Sequence, residues 1–169
     1  MSKNTEIMEQ FVKAYDELSD AIFRHCYFRI GDRERAKDLM QDTFTKSWQY
    51  IVGGASVNNM KAFLYRVANN LIIDEYRKKK ELSLDNLQEQ GFDPGFDDRS
   101  KNENRIDAQF VISTINQLDE KYREVVLMRY VDELSPKEIA GIIGESENNV
   151  SVRIHRGINQ LKGILEDNE

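Results

Sequence analysis

The stretch from Leu134 to Leu165 constrains the fold most, because it reads as two helices joined by a tight turn. Ser135, Pro136 and Glu138 give the first helix a start signal: an N-cap residue, a proline suited to the first helical position, and an acidic residue that completes a capping box. Gly144 can adopt the positive φ that ends a helix. The sequence therefore predicts a short capped helix followed by a second one.

The second helix, which Ser146 can cap, has an apolar side and a polar side. The apolar side consists of Val150, Ile154, Ile158, Leu161 and Leu165. The other side carries Asn148, Asn149, Arg153, Arg156 and Gln160. This is the pattern of a helix-turn-helix whose outward side chains suit base edges and phosphates, and Val152 could meet a thymine methyl there. An ordinary helix pair in a bundle needs the same caps and stripe, so the motif favours DNA binding without excluding that alternative.

Composition narrows the class of protein. With 169 residues, 40% hydrophobic and 32% charged, the chain is expected to be soluble and to form one or two small domains. It has no apolar run long enough for membrane insertion, and its polar N-terminus lacks the apolar centre of a signal peptide. A single cysteine, Cys26, on an apolar helical stripe excludes an internal disulfide and fits a reducing cytoplasm. The two histidines are far apart in sequence, so no metal site is expected.

The whole sequence predicts an all-α fold of two small helical domains, because no sustained alternation typical of strands is present. Three helices are expected in the N-terminal half, over Thr5–Ile30, Arg33–Ile51 and Asn59–Lys79. The second presents an outward row of acidic, amide and hydroxyl side chains: Asp38, Gln41, Asp42, Thr45 and Gln49. Such a row is by default a solvated face, and a surface for a partner protein is the alternative. The sequence does not choose between them.

The third helix is basic towards its end. Lys61–Lys80 contains six positive and two negative side chains, a net charge of +4. Its predicted outer face carries Lys61, Tyr65, Arg66, Asn69, Asn70 and Arg77. Tyr65 and Tyr76, interleaved with these charges, would offer aromatic rings to unstacked bases. The lysines could instead only complement the helix dipole.

A different composition begins at Glu81. Glu81–Asp107 carries eight acidic and three basic side chains, a net charge of −5, with few apolar residues. This predicts a flexible acidic linker, although a short helix near Asn86 is a competing interpretation. Helices are expected again over Ile106–Gln117 and Glu120–Val131. The predicted organisation is a domain of residues 1–80, a linker of residues 81–105 and a helix-turn-helix domain of residues 106–169.

Catalytic motifs such as phosphate-binding loops or a nucleophile elbow were not found. The chain instead resembles the extracytoplasmic-function (ECF) group of bacterial sigma factors over nearly its whole length. The resemblance rests on AKDLMQDTFTKSW (Ala36–Trp48), AFLYRVANNLIIDEYRKKK (Ala62–Lys80) and the segment Tyr122–Lys162. Three residues depart from the family's pattern. Phe63 stands in place of a usual tryptophan, Lys37 in place of an acidic residue, and Gly157 in place of a helix former.

The resemblance implies a division of roles among the residues. Asp38, Gln41 and Asp42 would dock on the coiled coil of the polymerase β′ subunit. The melted minus-ten strand would be held by the loop Val52–Asn58 and by Lys61, Arg66, Asn69, Asn70, Asp74, Arg77 and Lys78. The minus-thirty-five element would be read by Ser146, Asn148, Asn149, Ser151, Val152, Arg153 and Arg156.

The resemblance also implies the partners. They would be core RNA polymerase, through its β′ coiled coil and β flap, promoter DNA, and an anti-sigma protein. No cofactor, metal or catalytic residue is implied. The alternative hypothesis is a stand-alone helix-turn-helix regulator with an N-terminal effector or dimerisation domain. It predicts a palindromic operator and tight DNA binding without polymerase.

Overall fold

The computed structural model describes residues 2–85 and 110–168, and within these ranges the only regular secondary structure is helical. The chain divides into two compact units, Met1–Phe96 and Asp97–Glu169. The predicted all-α class is confirmed. Residues 86–109 lie outside the described residues, and with them most of the predicted linker, the short helix considered near Asn86, and the start of the helix predicted from Ile106.

The first unit contains helices α1 (Lys3–Ile30), α2 (Arg33–Val52) and α3 (Met60–Asp85). Gly31 ends α1 with a φ of 77°, a left-handed conformation that glycine adopts without strain. The carboxylate of Asp32 then accepts a hydrogen bond from the Arg35 backbone N–H at 2.9 Å and caps α2. One break in the sequence thus ends one helix and begins the next.

The three helices pack against one another as a bundle. The core combines apolar side chains from all three helices: Ile22, Cys26, Ile30, Leu39, Leu64, Ala68 and Ile72. Towards the N-terminal end of α1, the ring of Phe11 lies 5.1 Å from that of Trp48 and 6.0 Å from that of Phe44. These aromatic contacts fix α1 against α2.

Helix α3 is longer than predicted, because it continues to Asp85 rather than ending near Lys79. Glu81 and Leu82 are good helix formers, and the chain contains no glycine or proline between the start of α3 and Gly91. The Ser83 hydroxyl also donates to the Lys80 carbonyl at 2.9 Å. Acidic composition alone was therefore a poor guide to where the helix ends.

The second unit contains a helical segment at residues 110–115, then α4 (Glu120–Tyr130), α5 (Pro136–Ile143) and α6 (Glu147–Asp167). The predicted capping box is present: Ser135 and Glu138 exchange two side chain–backbone hydrogen bonds of 3.1 Å. Gly144 ends α5 with a φ of 74°. The Ser146 hydroxyl accepts the Asn149 N–H at 3.1 Å and caps α6. The predicted helix-turn-helix is confirmed in these local features.

The core of the second unit lies where α4 and α6 meet. Buried residues Ile115, Leu118, Val126 and Leu127 pack against partly buried Val131, Ile158, Leu161 and Ile164. Gly157 lies at the closest approach: a Cβ built there would be 2.7 Å from a Val126 methyl and 3.3 Å from the Tyr122 Cβ. Glycine at this position is therefore a packing requirement, whereas the sequence showed only its cost in helix propensity.

Two residues of α6 differ from the predicted stripe. Leu165, predicted on the apolar side, is exposed, because it lies in the last turns of the helix. Gln160, predicted on the outer side, is half-buried, and its Oε1 is buried without a hydrogen-bond partner among the described residues. Gln160 follows Gly157 by three positions and precedes Ile164 by four, so it shares their inward face.

Candidate polymerase and DNA interfaces

The acidic row of α2 lies on the surface. Asp38, Gln41 and Asp42 are exposed, while Leu39 and Phe44 on the opposite side are buried. Arg35 Nη1 lies 3.9 Å from Asp38 Oδ2, and Arg35 also interacts electrostatically with Asp42. The row is accessible to a partner and keeps a net negative charge along its outer edge.

An ion pair joins this helix to α3. Arg35 donates from Nε to Glu75 Oε1 at 2.7 Å and from Nη2 to Glu75 Oε2 at 2.6 Å. The hydrogen bonds from Arg35 hold the pKa of the Glu75 carboxyl below its ordinary value, against the opposing effect of burial, and the same contact raises the pKa of Arg35. The glutamate side chain is only 12% exposed. This paired geometry restrains the position of the acidic row relative to α3.

Helix α3 presents a cationic surface on its outer side. Arg66, Asn70, Arg77 and Lys78 are exposed, whereas Lys61 and Asp74 are half-buried. Arg77 Nη2 lies 3.3 Å from Asp74 Oδ1, one turn earlier on the helix. Four of the seven residues assigned to the minus-ten strand are therefore exposed, and three (Lys61, Asn69 and Asp74) are half-buried, with Asp74 and Arg77 forming an ion pair on the helix.

Asn69 and Tyr65 do not share that surface. Asn69 is half-buried, and its Oδ1 accepts a hydrogen bond from His25 Nε2 at 2.7 Å. Tyr65, predicted on the outer face, is fully buried, with its ring edge-on to that of His25 at 5.0 Å. The prediction that Tyr65 offers its ring to unstacked bases is wrong.

The sequence contains the signal that would have placed these two residues correctly. Tyr65, Asn69 and Ile72 recur at i, i+4 and i+7, which describes a second inward stripe, and Tyr76 follows at i+11 with an exposed ring. The polar Asn69 obscured it. The Tyr76 hydroxyl donates to the Arg29 carbonyl, and Arg29 Nη1 donates to the His25 carbonyl at 2.9 Å. The Asn69–His25 and Tyr76–Arg29 hydrogen bonds between α1 and α3 therefore fix the rotation of α3 about its own axis.

The loop between α2 and α3 is exposed over most of Val52–Asn58. Gly54 adopts a φ of 99°, and Asn59 Oδ1 accepts the Ala62 N–H at 3.0 Å at the start of α3. The loop therefore lies at the N-terminal end of the helix that bears the cationic surface.

Helix α6 presents the outward side chains predicted for the minus-thirty-five element. Asn148, Asn149, Ser151, Val152 and Arg156 are exposed, and Ser146 is exposed while it caps the helix. Arg153 differs, because its Nη2 donates to Glu145 Oε1 at 2.6 Å and the side chain is half-buried. Glu145, in the turn before α6, was not singled out by sequence. A carboxylate eight residues from an arginine carries no periodic signal.

The described residues offer little for other chemistry. Across residues 2–85 and 110–168, His, Cys, Asp and Glu side chains form no group of three or more that could hold a metal ion. Within the same ranges, no helix is long and apolar enough to cross a bilayer.

Comparison with known proteins assigns the two units. Residues 14–81 match the family model for Sigma-70 region 2, and residues 111–161 match that for Sigma-70, region 4. The ECF RNA polymerase sigma factor SigW of Bacillus subtilis (strain 168) is 31% identical over 169 residues, covering 94% of this chain and 90% of SigW.

Two solved structures share the fold. CnrH, solved in complex with the cytosolic domain of CnrY, matches with a TM-score of 0.72 at 22% identity, over 96% of this chain and 91% of that one. The sigma factor RpoE of Bartonella quintana, solved with the anti-sigma factor NepR, matches with a TM-score of 0.71 at 20% identity, over 94% of this chain and 98% of that one.

These matches favour the sigma-factor hypothesis over a stand-alone regulator. The region 2 match spans the acidic row and the cationic surface, and the region 4 match contains the helix-turn-helix, in the order predicted. The relative SigW extends the likeness across nearly the whole chain. The chain belongs to the ECF sigma factors, which bind core RNA polymerase and direct it to specific promoters to initiate transcription.

Proposed function

We propose that this sigma factor divides promoter recognition between its two units. Residues 1–80 bind core polymerase and the melted minus-ten strand, residues 106–169 bind the minus-thirty-five element and the β flap, and residues 81–105 join them. The family matches, which fall at residues 14–81 and 111–161, support these limits. The protein acts in the cytoplasm, where its polymerase is, and contributes binding rather than catalysis.

The acidic row of α2 is the docking surface for the coiled coil of the polymerase β′ subunit. Asp38, Gln41 and Asp42 are exposed on one face, and carboxylates so placed attract a basic partner surface and steer its approach. Lys37, where the family usually has an acidic residue, adds a positive charge beside the row. Asp38, Gln41 and Asp42 must then provide more of the affinity for polymerase.

The cationic surface of α3 holds the melted strand. Arg66, Arg77 and Lys78 contact phosphates, which positions the strand, and the Asn70 amide offers donor and acceptor atoms to a base edge. Lys61 and Asp74 flank these groups at the rim. Asn69 has a supporting role, because its hydrogen bond with His25 occupies the side-chain oxygen.

On α6, exposed Asn148, Asn149, Ser151 and Val152 meet base edges of the upstream element, and Arg156 meets a phosphate. The Ser146 hydroxyl remains with the helix cap. Arg153 approaches DNA with one end of its guanidinium held by Glu145. The charge of that arginine is therefore largely balanced before DNA arrives.

One observation carries this proposal. The acidic row and the cationic surface lie on neighbouring helices that the Arg35–Glu75 pair holds together at 2.6 and 2.7 Å. Docking of α2 on polymerase therefore also fixes the position of the α3 surface. A sigma factor needs this coupling, because strand opening requires both contacts at once.

Permanganate footprinting of melted thymines, with core polymerase added, tests the proposal. Reversing charge with Asp38→Lys and Asp42→Lys should abolish minus-ten reactivity and leave the helical circular-dichroism spectrum unchanged, because both side chains are exposed. The matched control is Asp16→Lys with Asp20→Lys, which reverses the same pair type at the same spacing on the surface of α1. Equal reactivity for both double variants would refute the docking assignment.

An anti-sigma protein is the regulatory partner that we propose. The support is that CnrH and RpoE, which share this fold, were solved with CnrY and the anti-sigma factor NepR, respectively.

A further inference from the structure

Near the middle of α3, its outer stripe contains an apolar side chain that the fold does not use. Ile73 is 61% exposed, although it lies in the middle of the helix rather than at a frayed end. The neighbouring Ile72 is 3% exposed and belongs to the core. The α1–α3 contacts fix the rotation of the helix, so Ile73 cannot turn inward without breaking the hydrogen bond between Asn69 and His25.

Ile73 lies in line with the groups assigned to the melted strand. Arg66, Asn70, Ile73 and Arg77 are spaced at i, i+4, i+7 and i+11, which places them within about 60° around the helix axis. Asn70 precedes Ile73 by about 4.5 Å along the axis, and Arg77 follows it by about 6 Å. Ile73 is thus the apolar centre of an otherwise cationic and amide-bearing stripe.

Local stability does not explain isoleucine at this position. A β-branched side chain is a poorer helix former than lysine, glutamine or alanine, any of which an exposed site accepts. An exposed isoleucine gains little from burial within the unit. The neighbours of Ile73 indicate that its binding partner is DNA, because the arginines before and after it attract a phosphate backbone. Polymerase is proposed to bind a different surface, the acidic row of α2.

We propose that Ile73 is the apolar base contact of the minus-ten strand and packs against the C5-methyl group of an unstacked thymine. The thymine methyl is the apolar group that a DNA base presents to side chains, and apolar side chains also wedge beside unstacked bases in protein–DNA complexes. Asn70 and Arg77 hold the strand on either side. This inference rests on the proposed role of the α3 surface and adds a preference for one base.

Deoxyuridine substitution tests the contact, because it removes only the C5-methyl. Holoenzyme is formed from core polymerase and each sigma variant, and affinity is measured on templates in which minus-ten thymines are replaced one at a time. Wild-type protein should lose affinity about fourfold at one position, the factor associated with one buried methyl group. Ile73→Ala should bind thymine and uracil templates equally at that position.

The matched control is Val12→Ala, which removes exposed apolar surface (54% exposed) on α1, about 20 Å along that helix from His25. It should keep the full wild-type difference between thymine and uracil. The affinity of each variant for core polymerase is measured in parallel. If Ile73→Ala alone lost affinity for core polymerase, Ile73 would be a polymerase contact and the inference would be overturned.

The outcomes separate this inference from the proposed function. If wild-type holoenzyme opens promoter DNA but shows no uracil effect, or if Ile73→Ala keeps that effect, the thymine contact is wrong and the proposed function stands. If wild-type holoenzyme opens no promoter DNA, the proposed function fails and the inference fails with it.

Discussion

Replacing Gly157 by alanine should destabilise the second unit, even though alanine is the better helix former. A Cβ at this position would lie 2.7 Å from a Val126 methyl, closer than real Cβ contacts come. Val126 is 2% exposed and β-branched, so its methyl cannot rotate away freely. Tyr122, one turn earlier on α4, crowds the same site, with its Cβ at 3.3 Å.

The magnitude follows from two opposing contributions. Inserting a methyl group into a packed core lowers the free energy of unfolding by about 1–3 kcal/mol. Replacing glycine by alanine in a helix interior raises it by about 1 kcal/mol. The expected net loss is therefore about 1 kcal/mol, within a range of roughly 0–2. Gly163→Ala on the same helix is the matched control, because nothing lies within 4 Å of its added Cβ. It should stabilise the unit by up to about 1 kcal/mol.

Urea unfolding followed by two probes measures the effect. The single tryptophan, Trp48, lies in the first unit, so its fluorescence transition should not move in either variant. Circular dichroism, which reports both units, should show the shift of the second unit. If Gly157→Ala proved as stable as Gly163→Ala, the close approach of α4 and α6 would be refuted. Combining Gly157→Ala with Val126→Ala should cost less than the two separate losses together, because the methyl that clashes is gone.

Three further predictions concern the first unit and the DNA contacts. Glu75→Gln should cost about 1 kcal/mol at pH 7, measured by urea unfolding. Pairing with Arg35 lowers the pKa of this carboxyl, so its contribution to the free energy of unfolding is complete above the ordinary pKa of 4.5. That contribution is lost as pH falls through the depressed pKa of the folded state. The stability difference between Glu75→Gln and wild type should therefore be absent well below that pH. Asn69→Ala should lower the free energy of unfolding by about 1–3 kcal/mol but keep the base preference measured in a promoter screen. Asn70→Ala should leave the free energy of unfolding unchanged and relax the base preference in the same screen. Arg156→Ala should reduce the salt dependence of DNA binding by the amount expected for about one lost phosphate contact. Asn149→Ala should instead relax the base preference at one or two base pairs. If Arg156→Ala relaxed the base preference and Asn149→Ala reduced the salt dependence, the two roles would be exchanged.

The sequence by itself determined the local structure of this protein. Caps, glycine stops and apolar periodicity act within a few residues, so the capping box at Ser135 and the stop at Gly144 could be predicted without knowing what packs against them. The outward direction of the acidic row on α2 also followed from periodicity. The end of α3 did not, because charged residues are compatible with both helix and linker.

Tertiary structure decided whatever depends on residues far apart in the chain. Asn69 and Asn70 are chemically identical neighbours, and only the tertiary structure shows that half-buried Asn69 bonds to His25 on another helix while Asn70 stays exposed. Gly157 appears as a defect in its own helix and becomes a requirement only where α4 crosses it. The physical reason is the same in both cases: periodicity assigns a residue to a side of its helix, whereas the opposing surface determines what that side must accommodate.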